Sequence, residues 1–248
     1  MANADDANFA PAKVVSDRTG AEQVSVEPAT ADPEDVARKR AAAPGLKMPP
    51  EPEWVLGPDG RVVDFKMQGM GIGRKARNRL GELIYNMFIT HIPSHTIRQG
   101  YLRLMGATIG KRSAIMRGTT VLDIEFLTIG DGTTVGSRCL LDSRAGLFIG
   151  DNVIIAADVH ILGGGHDINH PDFLPVPIPT VIEDYVWIAS RAMVLPSLIR
   201  RGAVVGAQAL VIKDVGECEV VGGNPAKVIS KRNPDALKYT GKFRPLFW

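Results

Sequence analysis

A six-residue repeat of aliphatic side chains runs from Ile109 to Val211 and constrains the fold of this 248-residue chain more than any other feature. Three successive positions form one group, and the first positions of the groups are 20, 20, 33 and 17 residues apart. The step of 33 exceeds an eighteen-residue group by 15 residues, and the extra residues contain His166 and His170. The fifteen repeated positions are Ile109, Ile115, Val121, Ile129, Val135, Leu141, Ile149, Ile155, Ile161, Ile182, Ile188, Val194, Ile199, Val205 and Val211.

The residues between the repeated positions indicate what each repeat builds. Small or acidic residues follow the aliphatic ones, as in IGDGTT, IGDNVI, IASRAM and VGAQAL. Small residues permit sharp corners, and β-branched residues favour short strands. Three repeats therefore make a three-sided coil, in which each side contributes one inward aliphatic side chain. We predict a mainly β protein, a left-handed parallel β-helix of about five coils over residues 108–230 with a loop at 163–180.

Composition divides the rest of the chain into three segments. Residues 1–50 are rich in Ala, Asp, Glu and Pro and nearly free of aromatic residues, so we expect a flexible low-complexity tail with at most a short helix near 33–43. Residues 51–107 are predicted to form an N-terminal extension with helices, and residues 231–248 a C-terminal tail.

The extension contains two predicted helices. The first, over 73–91, carries basic residues at its start and an apolar face made of Leu80, Leu83, Ile84, Met87 and Phe88. A basic amphipathic helix can lie on a membrane surface, whereas the interpretation that we favour packs the apolar face against the domain core. The second helix is predicted from Thr96 to Met105, with Gly106 as its C-cap.

Charge and cysteine content narrow the class of protein. The net charge is +2, so overall electrostatics predicts no nucleic-acid partner. The sequence has neither an apolar run of about twenty residues nor a secretory signal pattern, and we expect a cytoplasmic protein. Cys139 and Cys218 have no spacing typical of a disulfide framework or a metal site.

Five motifs occur in one order along the chain: LRLMGATIG at 102–110, GGGHD at 163–167, VWIASRAMVLPS at 186–197, VGAQALVIKDV at 205–215 and GGNPAKVI at 222–229. Together they resemble the hexapeptide-repeat acetyltransferases, in the sugar and exopolysaccharide branch that includes maltose, galactoside, nodulation-factor and colanic-acid O-acetyltransferases. The resemblance implies an acetyl-CoA-dependent O-acetyltransferase with a sugar or glycan acceptor and no metal. It also implies a homotrimer with acetyl-CoA bound between neighbouring β-helices.

The resemblance places His166 at the position of the general base. An alcohol is a poor nucleophile at neutral pH, so acetyl transfer to a hydroxyl needs a base within hydrogen-bond reach, and histidine titrates in the right range. The resemblance assigns an oxyanion-stabilising N–H to Ser190 and a sugar-holding carboxylate to Asp142. Because a base histidine needs a partner that fixes its tautomer, we expect either Asp142 or Asp167 to orient His166.

Contacts to coenzyme A are likewise implied by the resemblance. The pantetheine arm is expected to run along main-chain groups, and the two lysines are expected to face the phosphates. The residues concerned are Trp187, Ala189, Ser190, Gly206, Ala207, Ile212, Lys213 and Lys227.

Three other functions were weighed. The acceptor group could be the amine of an amino sugar, in which case loss of the base should cost less. A γ-type carbonic anhydrase would hold zinc with three histidines, but no histidine occurs between His95 and His160 to supply the upstream ligand. A β-helical scaffold without activity would be expected to lack the base or the coenzyme A groove, and the sequence retains the motifs of both.

Overall fold

The computed structural model describes residues 31–58 and 61–241. Residues 1–30 of the tail expected over 1–50 lie outside the described residues, as do the last seven residues of the C-terminal tail. The described chain begins with three helices and one hairpin: α1 Pro33–Ala42, β1 Pro52–Leu56, β2 Val62–Met67, α2 Ile72–Met87 and α3 His95–Leu104. Within the described residues, short 3₁₀ helices lie at Ile89–His91, Ile124–Phe126 and Pro234–Ala236.

The remaining strands wind into a parallel β-helix, as predicted. Its first three coils are β3 Thr108–Ile109, β4 Ala114–Ile115, β5 Thr120–Leu122, β6 Leu127–Ile129, β7 Thr134–Val135, β8 Leu140–Asp142, β9 Leu147–Ile149, β10 Ile154–Ile155 and β11 His160–Ile161. A small hairpin follows, made of β12 Gly165–His166 and β13 Pro175–Val176. The later strands are β14 Thr180–Ile182, β15 Trp187–Ile188, β16 Met193–Val194, β17 Leu198–Ile199, β18 Val204–Val205, β19 Leu210–Val211, β20 Glu219–Gly222 and β21 Lys227–Lys231.

The strands stack into three parallel faces. Face 1 contains the first strand of each coil (β3, β6, β9, β14, β17), face 2 the second (β4, β7, β10, β15, β18, β20) and face 3 the third (β5, β8, β11, β16, β19). Each repeated aliphatic residue stacks on its counterpart one coil away, as Ile155 does on Val135 and Ile188. All fifteen predicted positions are buried, with at most 8% of any residue exposed. The predicted core is therefore confirmed.

The helix extends slightly beyond the five predicted coils. Val215 forms a parallel bridge with Ile199 on face 1, and β20 adds a strand to face 2 beside β18. Val215 and Val221 are both buried. The five coils are thus followed by a partial sixth. Its valines stand outside the six-residue register, which is why the repeat alone did not reveal them.

The corner between faces 1 and 2 and the corner between faces 2 and 3 each turn through a left-handed residue. At the second corner the residues are Gly118, Arg138, Asp158, Arg191 and Gln208, all with positive φ. Only glycine adopts this region without strain, yet most coils use another residue. The regular main-chain bonds between coils must therefore outweigh a cost of about 1 kcal/mol at each such residue.

Residues 31–50 contain the short helix expected near 33–43, but the segment packs against the β-helix where composition predicted a flexible tail. The Asp32 side chain caps α1 by accepting from the Glu34 N–H, and the ammonium of Lys39 pairs with Asp35 at 2.7 Å. Both members of this pair are buried, and Ala43 packs on Val181 of face 1. The segment is ordered because it covers one side of the β-helix, which its polar composition does not indicate.

Helix α2 also packs differently from the prediction. Its buried residues are Gly81 and Tyr85, whereas the predicted contact residues Leu80, Leu83 and Met87 are more than half exposed. A Cβ on Gly81 would lie 2.0 Å from the Cε atom of Met105. The helix therefore turns its glycine toward the core because that side permits the closest approach. In the described segments, no helix has the length and apolarity needed to cross a bilayer.

The stacked core makes a direct stability prediction. Ile155→Ala should lower the free energy of unfolding by about 2–5 kcal/mol, because the interior cannot collapse around the missing atoms. The matched control is Ile229→Ala on β21, where the side chain is exposed and the expected loss is under about 0.5 kcal/mol. Urea denaturation at one fixed protein concentration measures both. Equal losses for the two variants would contradict the stacked core.

Candidate functional site

The 15-residue insert forms a loop at the corner where face 3 leads back to face 1. Its β12–β13 hairpin pairs His166 with Pro175. Two of the three glycines at its root have a structural reason, the first being that a Cβ on Gly163 would lie 2.7 Å from the carbonyl oxygen of Asp142. Gly164 has a φ of +75°, which favours glycine. The glycines thus allow the chain to leave the coil directly above Asp142.

His166 is held by the other end of the same loop. Its Nδ1 lies 2.9 Å from the main-chain carbonyl oxygen of Phe173, and its ring stacks on the Phe173 ring at 4.4 Å and 9°. A carbonyl oxygen can only accept, so Nδ1–H is the donor and the proton sits on Nδ1. Nε2 therefore carries the free lone pair, which a general base requires.

The residue that orients His166 is therefore neither of the two carboxylates considered from the sequence. Asp142 receives two hydrogen bonds from the Arg144 guanidinium, at 2.9 and 2.7 Å, and one from the Arg144 main-chain N–H at 3.1 Å. Asp167 accepts from the Asn169 N–H at 2.9 Å. A main-chain carbonyl has no sequence signature, so only the folded loop reveals its role.

Asp142 and Arg144 form a bidentate pair on the floor of the site. The Asp142 side chain is buried, whereas Arg144 is largely exposed. The hydrogen bonds that the Arg144 guanidinium donates to the Asp142 carboxylate raise the pKa of Arg144 above its usual value. Asp142 thus fixes the position of a cation that lines the cleft.

Hydrogen bonds also join the His166 loop to the N-terminal extension. The Asp172 carboxylate accepts from the Arg61 side chain at 2.8 and 3.0 Å and from the Val62 main-chain N–H at 2.9 Å. The Val62 hydrogen bond, with the Arg61 charge, holds the pKa of Asp172 below its usual value. His170 braces the loop from within, since its Nδ1 accepts from the Asp172 N–H at 3.0 Å. No motif predicted the contact between Asp172 and Val62, because the two residues are separated by 110 positions.

The loop and the β1–β2 hairpin enclose a cleft of about 720 Å³. Asp142, Arg144 and His166 line its floor, and Trp54 and Phe65 line the hairpin side. A volume of this size is typical of small-molecule sites. The sequence predicted His166 and Asp142 in this place but gave no reason to include Trp54 or Phe65.

The residues predicted to bind coenzyme A do not line this cleft. Ala189 and Ser190 lie at the corner between faces 2 and 3, and Gly206 and Ala207 lie one coil further along the same corner. The N–H groups of Ser190 and Ala207 have no hydrogen-bond partner among the residues that the structure describes. Face 3 separates this corner from the one that carries the His166 loop. Within one chain, the structure therefore does not bring Ser190 and His166 together.

The other predicted contacts lie in three places. Ile212 and Lys213 follow β19 and share the corner of the His166 loop, two coils further along. Lys227 begins β21. Trp187 is half exposed on face 2, where it lines a separate cavity with Ile154, Arg232 and Tyr239.

Asp123 lies below the cleft, at the same corner as Asp142. The Ser143 hydroxyl donates to the Asp123 carbonyl oxygen at 3.0 Å. Burial, with repulsion from Glu82 and Glu125, raises the pKa of the Asp123 carboxyl to about 6.

Over residues 31–58 and 61–241, no three His, Cys, Asp or Glu side chains form a group suited to holding a metal ion.

Known acetyltransferases have sequences similar to this chain. The chain is 35% identical over 132 residues to the putative colanic acid biosynthesis acetyltransferase WcaF of Escherichia coli K12, covering 53% of this chain and 72% of that protein. The chain belongs to the hexapeptide-repeat acetyltransferase family. No protein-family model matches it.

Two solved structures extend the comparison of this acetyltransferase. A maltose O-acetyltransferase from Clostridium difficile 630 superposes with a TM-score of 0.55 and 25% identity, covering 64% of this chain and 86% of that one. A hexapeptide-repeat acetyltransferase from Vibrio cholerae, solved with acetyl coenzyme A, has a TM-score of 0.58 and 22% identity, over 67% and 92%. The Vibrio structure supports the fold, and the β-helix is the part that these proteins share.

The hydrogen bonds of Asp172 with Arg61 and Val62 predict that their loss will change the local dynamics. Asp172→Asn removes the charge that binds Arg61, so amide hydrogen exchange should rise about tenfold at Val62 and across 165–176. Asp64→Asn is the matched control, since Asp64 accepts from the neighbouring Phe65 N–H and, within the described residues, has no bond to the loop. Unchanged exchange in the loop of Asp172→Asn would contradict the role of these hydrogen bonds in holding the loop.

Asp123 predicts a pH dependence of stability. Its folded pKa of about 6 exceeds the unfolded value of about 4, so the native state holds this proton more tightly and stability falls as pH rises through that window. Asp123→Asn removes this loss, and asparagine tolerates the φ of +54° found there.

The variant should therefore be about 1 kcal/mol more stable than the parent near pH 7, and this advantage should vanish near pH 4. Melting curves at both pH values measure the difference, with the exposed Glu217→Gln as the control. An advantage that is the same at both pH values would contradict the assignment to Asp123.

Proposed function

We propose that this acetyltransferase transfers an acetyl group from acetyl-CoA to a hydroxyl of a sugar or glycan, with His166 as the general base. One observation carries the proposal: the Phe173 carbonyl holds the proton on Nδ1 of His166 and leaves Nε2 as an acceptor in a substrate-sized cleft. A base must be positioned and must present a lone pair to the hydroxyl. His166 meets both requirements.

In the proposed reaction, the His166 side chain first accepts a proton and then donates it. Nε2 of His166 takes the acceptor's hydroxyl proton while its oxygen bonds to the thioester carbonyl carbon. The tetrahedral intermediate collapses as the carbon–sulfur bond breaks. The resulting imidazolium then protonates the leaving thiolate. The Phe173 carbonyl stabilises the imidazolium throughout by accepting from Nδ1–H.

We further propose that the active site is shared between subunits of a homotrimer. The N–H groups of Ser190 and Ala207, which have no partner within residues 31–58 and 61–241, suit an oxyanion or a pantetheine amide, yet face 3 separates them from His166 on the same chain. A neighbouring subunit that presents this corner to the His166 loop would complete the site. The acetyl-CoA groove would then run along Ala189, Ser190, Gly206 and Ala207, with Lys213 and Lys227 near the phosphates.

The comparisons support the donor and the acceptor class. The Vibrio cholerae relative is complexed with acetyl coenzyme A, and the Clostridium difficile relative is a maltose O-acetyltransferase. A sugar hydroxyl is accordingly our first choice of acceptor group. An amino sugar is the alternative that the experiment below distinguishes.

The test is release of thiol from acetyl-CoA in the presence of a panel of sugars, oligosaccharides and amino sugars. His166→Ala should lower turnover on a hydroxyl acceptor about 10²–10⁴-fold, because the alcohol loses its base. His91→Ala is the control, since His91 is exposed in a 3₁₀ helix outside the coils. Full turnover by His166→Ala on the best hydroxyl acceptor would rule out the mechanism. If only amino sugars are acetylated, and His166→Ala lowers that turnover only slightly, the result would favour N-acetylation.

A further inference from the structure

The cleft above His166 has two walls of different chemistry. The floor carries the charged pair Asp142–Arg144 beside His166. The hairpin wall is apolar apart from Asp64, and its largest groups are Trp54 and Phe65, which are paired across the two strands with ring centroids 5.9 Å apart. A ligand that fits both walls has a polar end and an apolar body.

The hairpin residues are available to a ligand. Phe65 is 50% exposed and Val63 is 66% exposed, although both line the cleft. Further apolar side chains continue the same surface around the cleft: Pro49, Pro50, Pro52, Met67, Leu162 and Leu174. This surface is larger than the apolar face of a single sugar ring requires. Aromatic groups of this kind give most of the binding energy in a cleft when an apolar partner covers them.

The hairpin is also held in place before any ligand arrives. Arg61 and Val62, at the start of β2, are bound to Asp172 of the His166 loop. Phe173, the next residue, provides the carbonyl that orients His166. The two walls are therefore joined at the residue beside the one that positions the base. Such a preformed cleft spares the cost of ordering the hairpin on binding.

We infer that the β1–β2 hairpin is the acceptor-recognition element and that the acceptor is an amphipathic glycoside, whose sugar lies on the polar floor and whose apolar aglycone lies against Trp54 and Phe65. This inference rests on the proposed function. The N–H groups of Arg144 not bound to Asp142 face the sugar hydroxyls, because the guanidinium has five donors. The aglycone removes the apolar hairpin surface from water.

The experiment compares two acceptors that differ only in the aglycone, a phenyl glycoside and the methyl glycoside of the same sugar, at saturating acetyl-CoA. The parent should use the phenyl glycoside at least about tenfold more efficiently in kcat/KM, because an aromatic group buries more apolar area than a methyl group. Trp54→Ala and Phe65→Ala should each reduce this preference about three- to tenfold. They should leave KM for acetyl-CoA unchanged.

Two further variants separate binding from misfolding. Val63→Thr changes an exposed side chain without changing its size, and its hydroxyl in the apolar wall should lower the preference about two- to threefold. Leu56→Ala is the matched control, because Leu56 is equally exposed on β1 but does not line the cleft. This control should behave as the parent does. Equal use of both glycosides by the parent, or a preference insensitive to Trp54→Ala, Phe65→Ala and Val63→Thr, would overturn the inference.

Calorimetric titration of phenyl glycoside, without acetyl-CoA, makes failure of this inference distinguishable from failure of the proposed function. Binding that weakens in Trp54→Ala but not in Leu56→Ala would support the hairpin site even if no acetyl transfer were found. Transfer to both glycosides without any effect of the hairpin variants would leave the proposed function intact and remove this inference. Absence of both transfer and binding would overturn both.

Discussion

The structure depends on the stacking of one aliphatic side chain per face in each coil. A strand of two or three residues is too short to be stable alone, and it persists because its inward side chain is buried between those of the coils above and below. The same requirement sets the length of each side, and buried residues such as Val153 and Ala192 complete the core where a corner enters the next strand. A longer connection can replace a corner as long as the faces on either side keep their register. The function of the molecule is built from this freedom.

The His166 loop illustrates the point. It is inserted at a corner between β11 and β14, and the coils on either side keep their register, with Ile161 opposite Val194 and Ile149 opposite Ile182. Closing a longer loop costs little, because the entropy of closure grows only with the logarithm of its length. The loop is then made rigid from inside by His170 and Phe173 and from outside by Arg61. A scaffold whose faces keep their register thus supports a precisely held His166 side chain.

The parts of the fold that were predicted correctly are those controlled by local spacing. The fifteen core positions, the site of the insert and the helices α2 and α3 all follow from patterns within a few residues. The packing face of α2 and the flexibility of residues 31–50 were not as predicted, although the short helix expected near 33–43 is present as α1. Their packing depends on the buried pair Asp35–Lys39 and on the space at Gly81. Polar composition and hydrophobic periodicity contain no information on such contacts.

The sequence by itself determined the β-helix, the corner that carries the loop and the histidine within it, because a period of six residues leaves one arrangement for the core. Only the tertiary structure decided how His166 is oriented and what covers it. The orienting group is the main-chain carbonyl of Phe173, which every residue type possesses, and the cover is a hairpin joined to the loop by residues 110 positions apart. Contacts of these two kinds depend on where the backbone passes in space. They therefore become visible only when the chain is folded.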